Sequence, residues 1–361
     1  MYRKFLKRLG INTDVTVKIY KGYGHQQNLH LSGHVLKISS KPTTTYHRSI
    51  LRNIFQLFKL FFVKAIAGVP VVLKWKEQQI HAVTETDGYF KLEWASETSV
   101  PAGFQEVTVD YLGPGGKVIA SGKGEFFVPH ITQLGIISDI DDTFLVSHSS
   151  TIFKRLWTLF SNNARSRHAF EGVREHYRLL EQAQTDDDTP NPLFYVSSSE
   201  WNLYDYLNEF LRIQKLPQGI FLLSQLKRWY QLVKTGKTKH EGKFARVVRI
   251  MDAFPNQRFI LLGDNSQKDP EIYRSIADHH PGQVFAVYIR NVSSNNKISL
   301  AALESSLRSA GIPYCFFRHS KEAIEHSISI GLGHREDSGA KPSQESTTES
   351  NADQGVNRTR N

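Results

Sequence analysis

The stretch Leu134–Thr143 reads LGIISDIDDT. A short, almost unbroken apolar run stops abruptly at three carboxylates, Asp139, Asp141 and Asp142. Such a run reads as a strand covered on both faces, which is how strands of a parallel sheet look in sequence. In an extended segment Asp139 and Asp141 point to the same side, while Ile140 points into the fold. Ligands of open parallel sheets bind beyond the carboxyl ends of the strands. Three acids at one such end repel each other unless a cation compensates them, and an all-oxygen, carboxylate-rich site favours Mg²⁺. The competing reading is a solvated acidic turn, but acids are costly beside a buried strand.

Downstream the same pattern repeats. Apolar runs at 193–197, 219–223, 258–264, 284–289 and 312–317 alternate with helix-like stretches near 168–183, 201–212, 243–253, 270–278, 299–309 and 320–328. Strand–helix alternation of this kind predicts an α/β domain with a parallel sheet over residues 131–333. Three further features fall at its predicted strand and helix ends. Asp264 closes RFILLGD, with Gly263 allowing a tight turn and Asp269 placed to cap the following helix. Ser197 closes LFYVS and is followed by Ser198 and Ser199, an arrangement suited to cradling an anion ahead of a helix. Lys243 opens KFARVVRIMDAF, one helix and one turn before the strand of Asp264, with Lys237, Lys239 and His240 as rival candidates.

Upstream the signals change. VTVKIY, HLSGHVLKI, VPVVLKW, YFKLEW and EVTVDYL are rich in β-branched and aromatic residues, and Thr86–Phe90 carries the Asp-Gly pair of a tight hairpin. Short strands at this spacing predict an antiparallel β-sandwich over residues 1–130. One amphipathic helix, 47–64, interrupts it, with Ile50, Leu51, Ile54, Phe55, Leu57, Phe58, Phe61 and Phe62 recurring at 3–4 residue steps and Arg48, Arg52, Gln56 and Lys59 opposite. It either lies on an anionic membrane surface or packs its Phe-rich face on the sandwich. Residues 1–64 hold twelve Lys or Arg against one acid, Asp14, so the formal net charge of +10 resides in this segment. A local excess of this size suits a polyanionic surface or serves as a solubilising face. The tail 334–361 has almost no apolar residues and is expected to be disordered.

Two acids at one strand end, a hydroxyl at a second, an acid at a third and a helix lysine together describe phosphoryl transfer through a carboxylate nucleophile. One acid attacks phosphorus, a second protonates the leaving oxygen and later activates water, and the cations neutralise the equatorial oxygens. The DIDDT string, YVSSSEWNLYDYL and GDNSQKDPEIY resemble the actin-patch-protein type of phosphatidate phosphatase, within the haloacid dehalogenase superfamily. The resemblance runs from about Leu134 to Ile330, with a weaker likeness at VKIYKGYG and the TDGYF turn. It implies a Rossmann-like doubly wound sheet and a Mg²⁺-dependent phosphomonoesterase. It also implies Asp139 as nucleophile and metal ligand, Asp141 as general acid and base and metal ligand, and Asp264 as metal ligand. Thr143 would orient the acid, Ser197 would bind the phosphoryl group and Lys243 would stabilise its charge. The chain has Ser199-Glu200-Trp201 where the family commonly has Ser-Pro-Trp, and Gly242-Lys243 where it often has His-Lys.

Substrate choice falls to the insertions. Lys227, Arg228, Lys239 and Ser198 are candidate substrate contacts, and Trp157 and Trp229 suit an interfacial position. Together with the basic first segment they favour a phospholipid monoester, phosphatidate, at an anionic membrane surface. The other readings are a soluble phosphomonoester, or a non-catalytic protein binding anionic lipid or nucleic acid. With one cysteine, Cys315, and no signal-like N-terminus, the expected location is cytoplasmic, with peripheral membrane contact and no secretion. GKT at 236–238 is no P-loop because position 231 is Gln.

Overall fold

In a computed structural model of the chain, the structure describes residues 14–38, 64–139, 164–185, 189–224, 238–266, 268–292 and 297–333. Asp141, Asp142, Thr143, Trp157, Lys227, Arg228, Trp229, the 47–63 part of the amphipathic helix and the tail from His334 lie outside the described residues. The molecule is mixed α/β and is built on two sheets.

The first sheet has eight strands: β1 (Asp14–His25), β2 (Asn28–Ile38), β3 (Lys64–Ala65), β4 (Pro70–Trp75), β5 (Gln78–Val83), β6 (Tyr89–Trp94), β7 (Gly103–Leu112) and β8 (Val118–Val128). Its order is β3-β2-β1-β8-β7-β4-β5, with β6 also paired to β2. Alternate residues of nearly every strand, among them Val17, Leu31, Leu73, Phe90, Val109 and Phe126, meet in one core, so the sheet folds around its own apolar face. Two sequence expectations need correction here. Pairing is antiparallel except where β1 runs parallel to β8 at Gly22↔Phe126 and Tyr23↔Phe127. The Asp87-Gly88 turn does close locally, Glu85 N–H donating to the Tyr89 carbonyl at 2.7 Å. The strands it joins nevertheless part, because β6 pairs with β2 from Leu29↔Trp94 to His34↔Tyr89 rather than with β5. That pairing seals Phe90, Leu92 and Trp94 into the core, which a hairpin with the half-exposed β5 would not.

The second sheet is wholly parallel: β9 (Gly135–Asp139), β10 (Leu193–Glu200), β11 (Ile220–Ser224), β12 (Phe259–Asp264), β13 (Val284–Arg290) and β14 (Tyr314–Phe317), in the order β11-β10-β9-β12-β13-β14. Its helices are α1 (Ala164–Glu181), α2 (Tyr204–Gln214), α3 (Thr238–Ala253), α4 (Asp269–His279), α5 (Lys297–Ser309) and α6 (Ser320–Ser329). Two apolar clusters, one on each side, bury β9 and β12 completely. The strand order reverses between β9 and β12, which is where a crevice opens in sheets of this kind. Among the described residues no helix is long and apolar enough to cross a membrane.

The two sheets meet through β1, and a β-bulge makes the contact possible. Tyr20 pairs with Ser32 and Tyr23 with His30, so β1 carries one residue more than β2 across this step. Without it, side chains three apart would face opposite ways. With it, Tyr20 enters the cluster on one side of the parallel sheet and Tyr23 the cluster on the other. Gly22 is required at the bulge, since a methyl group there would stand 2.3 Å from the His30 carbonyl oxygen. Trp201 stacks on His34 with ring centroids 3.6 Å apart, Lys21 N–H donates to the Tyr204 hydroxyl at 3.1 Å, and Lys18 pairs with Asp205 at 2.5 Å.

Two buried histidines set an acid limit on this packing. Burial lowers the pKa of His34, at the junction, and of His176, on α1, each to about 3. Both are therefore neutral in the folded protein while the unfolded chain protonates them below about 6.5. The unfolded state binds more protons between those values, so this stability is full above 6.5 and is lost as pH falls toward 3. At pH 5 each histidine withdraws roughly 2 kcal/mol. Urea midpoints compared at pH 7 and pH 5 are expected to fall steeply for the native chain and less for His176→Gln. Equal falls would show that the burial of this ring does not govern acid stability.

Candidate active site

The site lies at the carboxyl edge of the parallel sheet, where adjacent strands deliver one polar residue each. Register places Asp139 of β9 opposite Val196, one residue before Ser197 of β10. Leu262 pairs with Ser138, so Asp264 leaves β12 beside the end of β9, and Asp264 in turn pairs with Arg290 at the end of β13. Asp139, Ser197, Asp264 and Asp269 are all within 1% of complete burial. An apolar strand feeding into an acid therefore does what the sequence suggests: it carries a carboxylate to a place where only specific partners can support it.

The chief partner is Lys243. Its ammonium lies 2.9 Å from Asp139 Oδ2 and donates a hydrogen bond to Asp269 Oδ1. Burial by itself would lower the lysine's pKa, but the charges of Asp139 and then Asp269 reverse this and raise it, so the ammonium form persists. The second oxygen of Asp269 accepts from the Asp264 backbone N–H at 3.2 Å, and Asp264 Oδ1 accepts from the Ser266 N–H at 2.7 Å. One lysine thus joins the ends of β9, β12 and α4. Gly263 makes room for it: a methyl group there would lie 2.5 Å from Asp269 Oδ2.

Several sequence expectations are refined. Lys243 does not open its helix; α3 begins at Thr238, which puts the lysine in the second turn. Lys239 lies in the first turn of that helix. Ser197 does not close its strand, because β10 continues to Glu200 through an irregularity between Val196 and Glu200. Ser198 lies within this irregular stretch. Asp269 does not cap α4: Lys268 is the N-cap residue, without a side-chain bond, and the aspartate turns back to Lys243 and Asp264. Cys315 sits in β14 as expected, its thiol pushed up to about 11 by burial and then by Glu322.

Two residues escaped the sequence reading. Asn265 is fully buried; its Nδ2 donates to Asn291 Oδ1 at 2.8 Å and its Oδ1 accepts from the Val292 N–H at 2.8 Å, which stitches the ends of β12 and β13 together. Arg290 ends the otherwise apolar VFAVYIR and is buried beside Asp264; burial lowers its pKa, while Tyr177 and Asp264 support the charge. A charge closing an apolar strand was the available signal, the same one that singled out Asp139.

The donor set suits a hard divalent cation. Three buried carboxylates, Asp139, Asp264 and Asp269, face two buried cations, Lys243 and Arg290, leaving an excess of negative charge among oxygen donors. Among the described residues no group of three or more His, Cys, Asp or Glu is close enough to hold a metal by itself. Removing the lysine would strand Asp139 and Asp269 in the interior. Lys243→Met is expected to cost about 3–5 kcal/mol of folding stability, read from denaturant unfolding, because breaking a buried ion pair leaves its partner uncompensated. A loss below about 1 kcal/mol would show that the triad is not held as described.

Residues 134–291 match the family described as phosphatidate phosphatase APP1, catalytic domain. The chain is 26% identical over 246 residues to phosphatidate phosphatase APP1 of Saccharomyces cerevisiae, which covers 65% of this chain and 40% of that protein. It is 23% identical over 181 residues to an uncharacterized protein of Schizosaccharomyces pombe, covering 50% of this chain and 28% of the other. The chain thus spans less than half the length of these relatives. Of solved structures, a bacterial immunoglobulin-like domain from the M. primoryensis ice-binding adhesin aligns with 33% of the chain at 10% identity and a TM-score of 0.17, too low to carry weight. The matched segment opens on the strand of Asp139, closes just after Arg290, and contains Ser197, Lys243, Asp264 and Asp269. The likeness to the catalytic domain of phosphatidate phosphatase APP1 therefore falls on the segment that carries the whole described site.

Proposed function

We propose that this chain hydrolyses phosphatidate to diacylglycerol and inorganic phosphate, with Asp139 as the nucleophile. One observation carries the reading: a carboxylate held by a buried lysine at the switch point of a parallel sheet, inside the segment that matches the phosphatase family. The strand order, 3-2-1-4-5-6 when counted from β9, supports a Rossmann-like, haloacid dehalogenase-type domain over 131–333. The first sheet is then the core of a sandwich-like domain over 1–130.

In this mechanism a carboxylate oxygen of Asp139 forms a bond to phosphorus as the bond to the glycerol oxygen breaks. Asp141 gives its proton to that leaving oxygen, then takes one from the water that cleaves the acyl phosphate and regenerates Asp139. Lys243 orients Asp139 and offers its charge to the phosphoryl oxygens, while Asp269 keeps the lysine in place. The Ser197 hydroxyl binds a phosphoryl oxygen, and Thr143 orients Asp141. Asp139, Asp141 and Asp264 would hold Mg²⁺, which when bound neutralises phosphoryl charge. Ser198, Lys227, Arg228 and Lys239 would contact the substrate. The basic first 64 residues bring the protein to anionic bilayers, where each positive charge contributes about 1 kcal/mol.

Release of inorganic phosphate from phosphatidate in mixed micelles with MgCl₂ tests the reading. The native chain is expected to turn over, chelation of the metal to stop it, and Asp139→Asn to lower kcat by at least about 10³-fold. Undiminished turnover by Asp139→Asn would remove the nucleophile assignment, and a native chain inert toward phosphatidate would remove the substrate. Deleting residues 47–64 is expected to weaken turnover on vesicles while sparing that on a water-soluble short-chain phosphatidate; equal turnover on vesicles would sink the membrane role.

A further inference from the structure

Where the β1 bulge meets the parallel sheet, a cavity of about 100 Å³ opens between the two sheets. One wall is the bulge with β2 and β6; the other is Trp201, the end of β11 and the outer turns of α3. One water requires roughly 10–15 Å³ measured in this way, so the space admits a group of phosphate size with its hydration, and no acyl chain.

The lining is one-sided in charge. Lys21, Lys91, Arg246 and Arg249 face the cavity, and no aspartate or glutamate among the described residues lines it. Lys21 is paired with Glu125 at 3.1 Å and Lys91 with Glu93, so these two are largely neutralised. Arg249 is exposed and has no ion pair among the described residues. Burial raises the pKa values of Tyr23 and Tyr89 and lowers that of His30, and the Arg249 charge acts on all three, so it is directed across the seam at the first sheet.

Two buried side chains of the lining are incompletely bonded. Trp201 and His30 are each 8% exposed, and Trp201 Nε1 and His30 Nε2 have no hydrogen-bond partner among the described residues. An indole N–H can only donate, and a buried donor left without an acceptor is unfavourable. Trp201 cannot turn away to find water, since its ring is stacked on His34. A seam that combines spare cationic charge with an unanswered donor is built for an oxyanion.

We infer that this cavity is an anion site for a phosphate group, distinct from the reaction centre and formed jointly by the bulge of the first sheet and by Trp201 and Arg249. It adjoins the centre without sharing its residues: Arg246 follows Lys243 by one turn of α3, while Asp139, Ser197, Lys243 and Asp264 do not line it. A phosphate there is bound and not hydrolysed by the route proposed for Asp139, because no carboxylate among the described residues lines the cavity. The ligand is a free phosphate or the headgroup of a phosphate-bearing lipid.

The test is calorimetric titration of the full chain with sodium phosphate in the presence of MgCl₂, paired with product inhibition of turnover by the same anion. Arg249→Ala and Trp201→Phe, the latter keeping a ring to stack on His34, are each expected to weaken the calorimetric site about tenfold. The product-inhibition constant should stay unchanged, and Lys321→Ala, an exposed cation on α6, should alter neither. Unaltered titrations in both variants overturn the inference, as does a parallel shift of the two constants, which would mean one shared site. Sedimentation with phosphatidylcholine vesicles, with and without phosphatidate, separates the sources. Weakened binding to phosphatidate vesicles together with phosphate identifies a headgroup, and weakened phosphate binding alone identifies a free anion. Weakened vesicle binding with an intact phosphate titration would make Arg249 a membrane contact and overturn the cavity assignment. A chain that binds phosphate at the seam but releases none from any ester would refute the phosphatase reading while leaving this one standing.

Discussion

The interior charge of Lys243 is the constraint around which the parallel sheet is organised. A lone ammonium at that depth would lose its proton, and a lone aspartate there would gain one. Set between Asp139 and Asp269, the lysine keeps its proton, and the strand ends of β9 and β12 and the start of α4 are drawn to a common point. The same geometry explains why Gly263 carries no side chain, while Asn265 is engaged separately, by the residues that follow β13. An ion triad of this kind is a poor way to gain stability. It is a good way to hold a carboxylate oriented beside a crevice.

The second constraint is the single extra residue in β1. A regular strand could bury Tyr20 against the parallel sheet or Tyr23, but not both. The bulge admits both, and each ring enters a different cluster, so the first sheet clasps the edge of the second from two sides. Bulges often lie beside active sites because they re-aim side chains. Here the re-aimed segment also forms one wall of the seam cavity. The first sheet is thus more than a brace: it shapes the surroundings of the carboxyl edge of its neighbour.

Much of this was legible in the chain. The six parallel strands and six helices follow the apolar alternation closely, because strands buried on both faces leave an unmistakable run and helices between them keep their period. Asp139 and Asp264 announced themselves as acids ending such runs. Arg290 carried the same mark and was missed because it is a cation. Asp269 was visible but was assigned to a helix cap, a local role that its sequence position satisfies equally well; only its distance to Lys243, 26 residues away, shows the aspartate turned inward. The Asp87-Gly88 turn misled for the complementary reason: turn chemistry is local, whereas strand partnership is decided by which face can be buried.

By itself, then, the sequence determined the kinds of elements and the chemistry at their ends, since both depend on neighbours a few residues away. Tertiary structure decided which ends meet. It chose Lys243, from the second turn of its helix, as the cation between two acids, and it sent β6 to β2. It also placed Tyr20 and Tyr23 on one side of a strand that an alternating pattern would have divided between two. These outcomes rest on the burial of charge and on the loss or gain of one residue in register, and neither is a property of any short stretch of the chain.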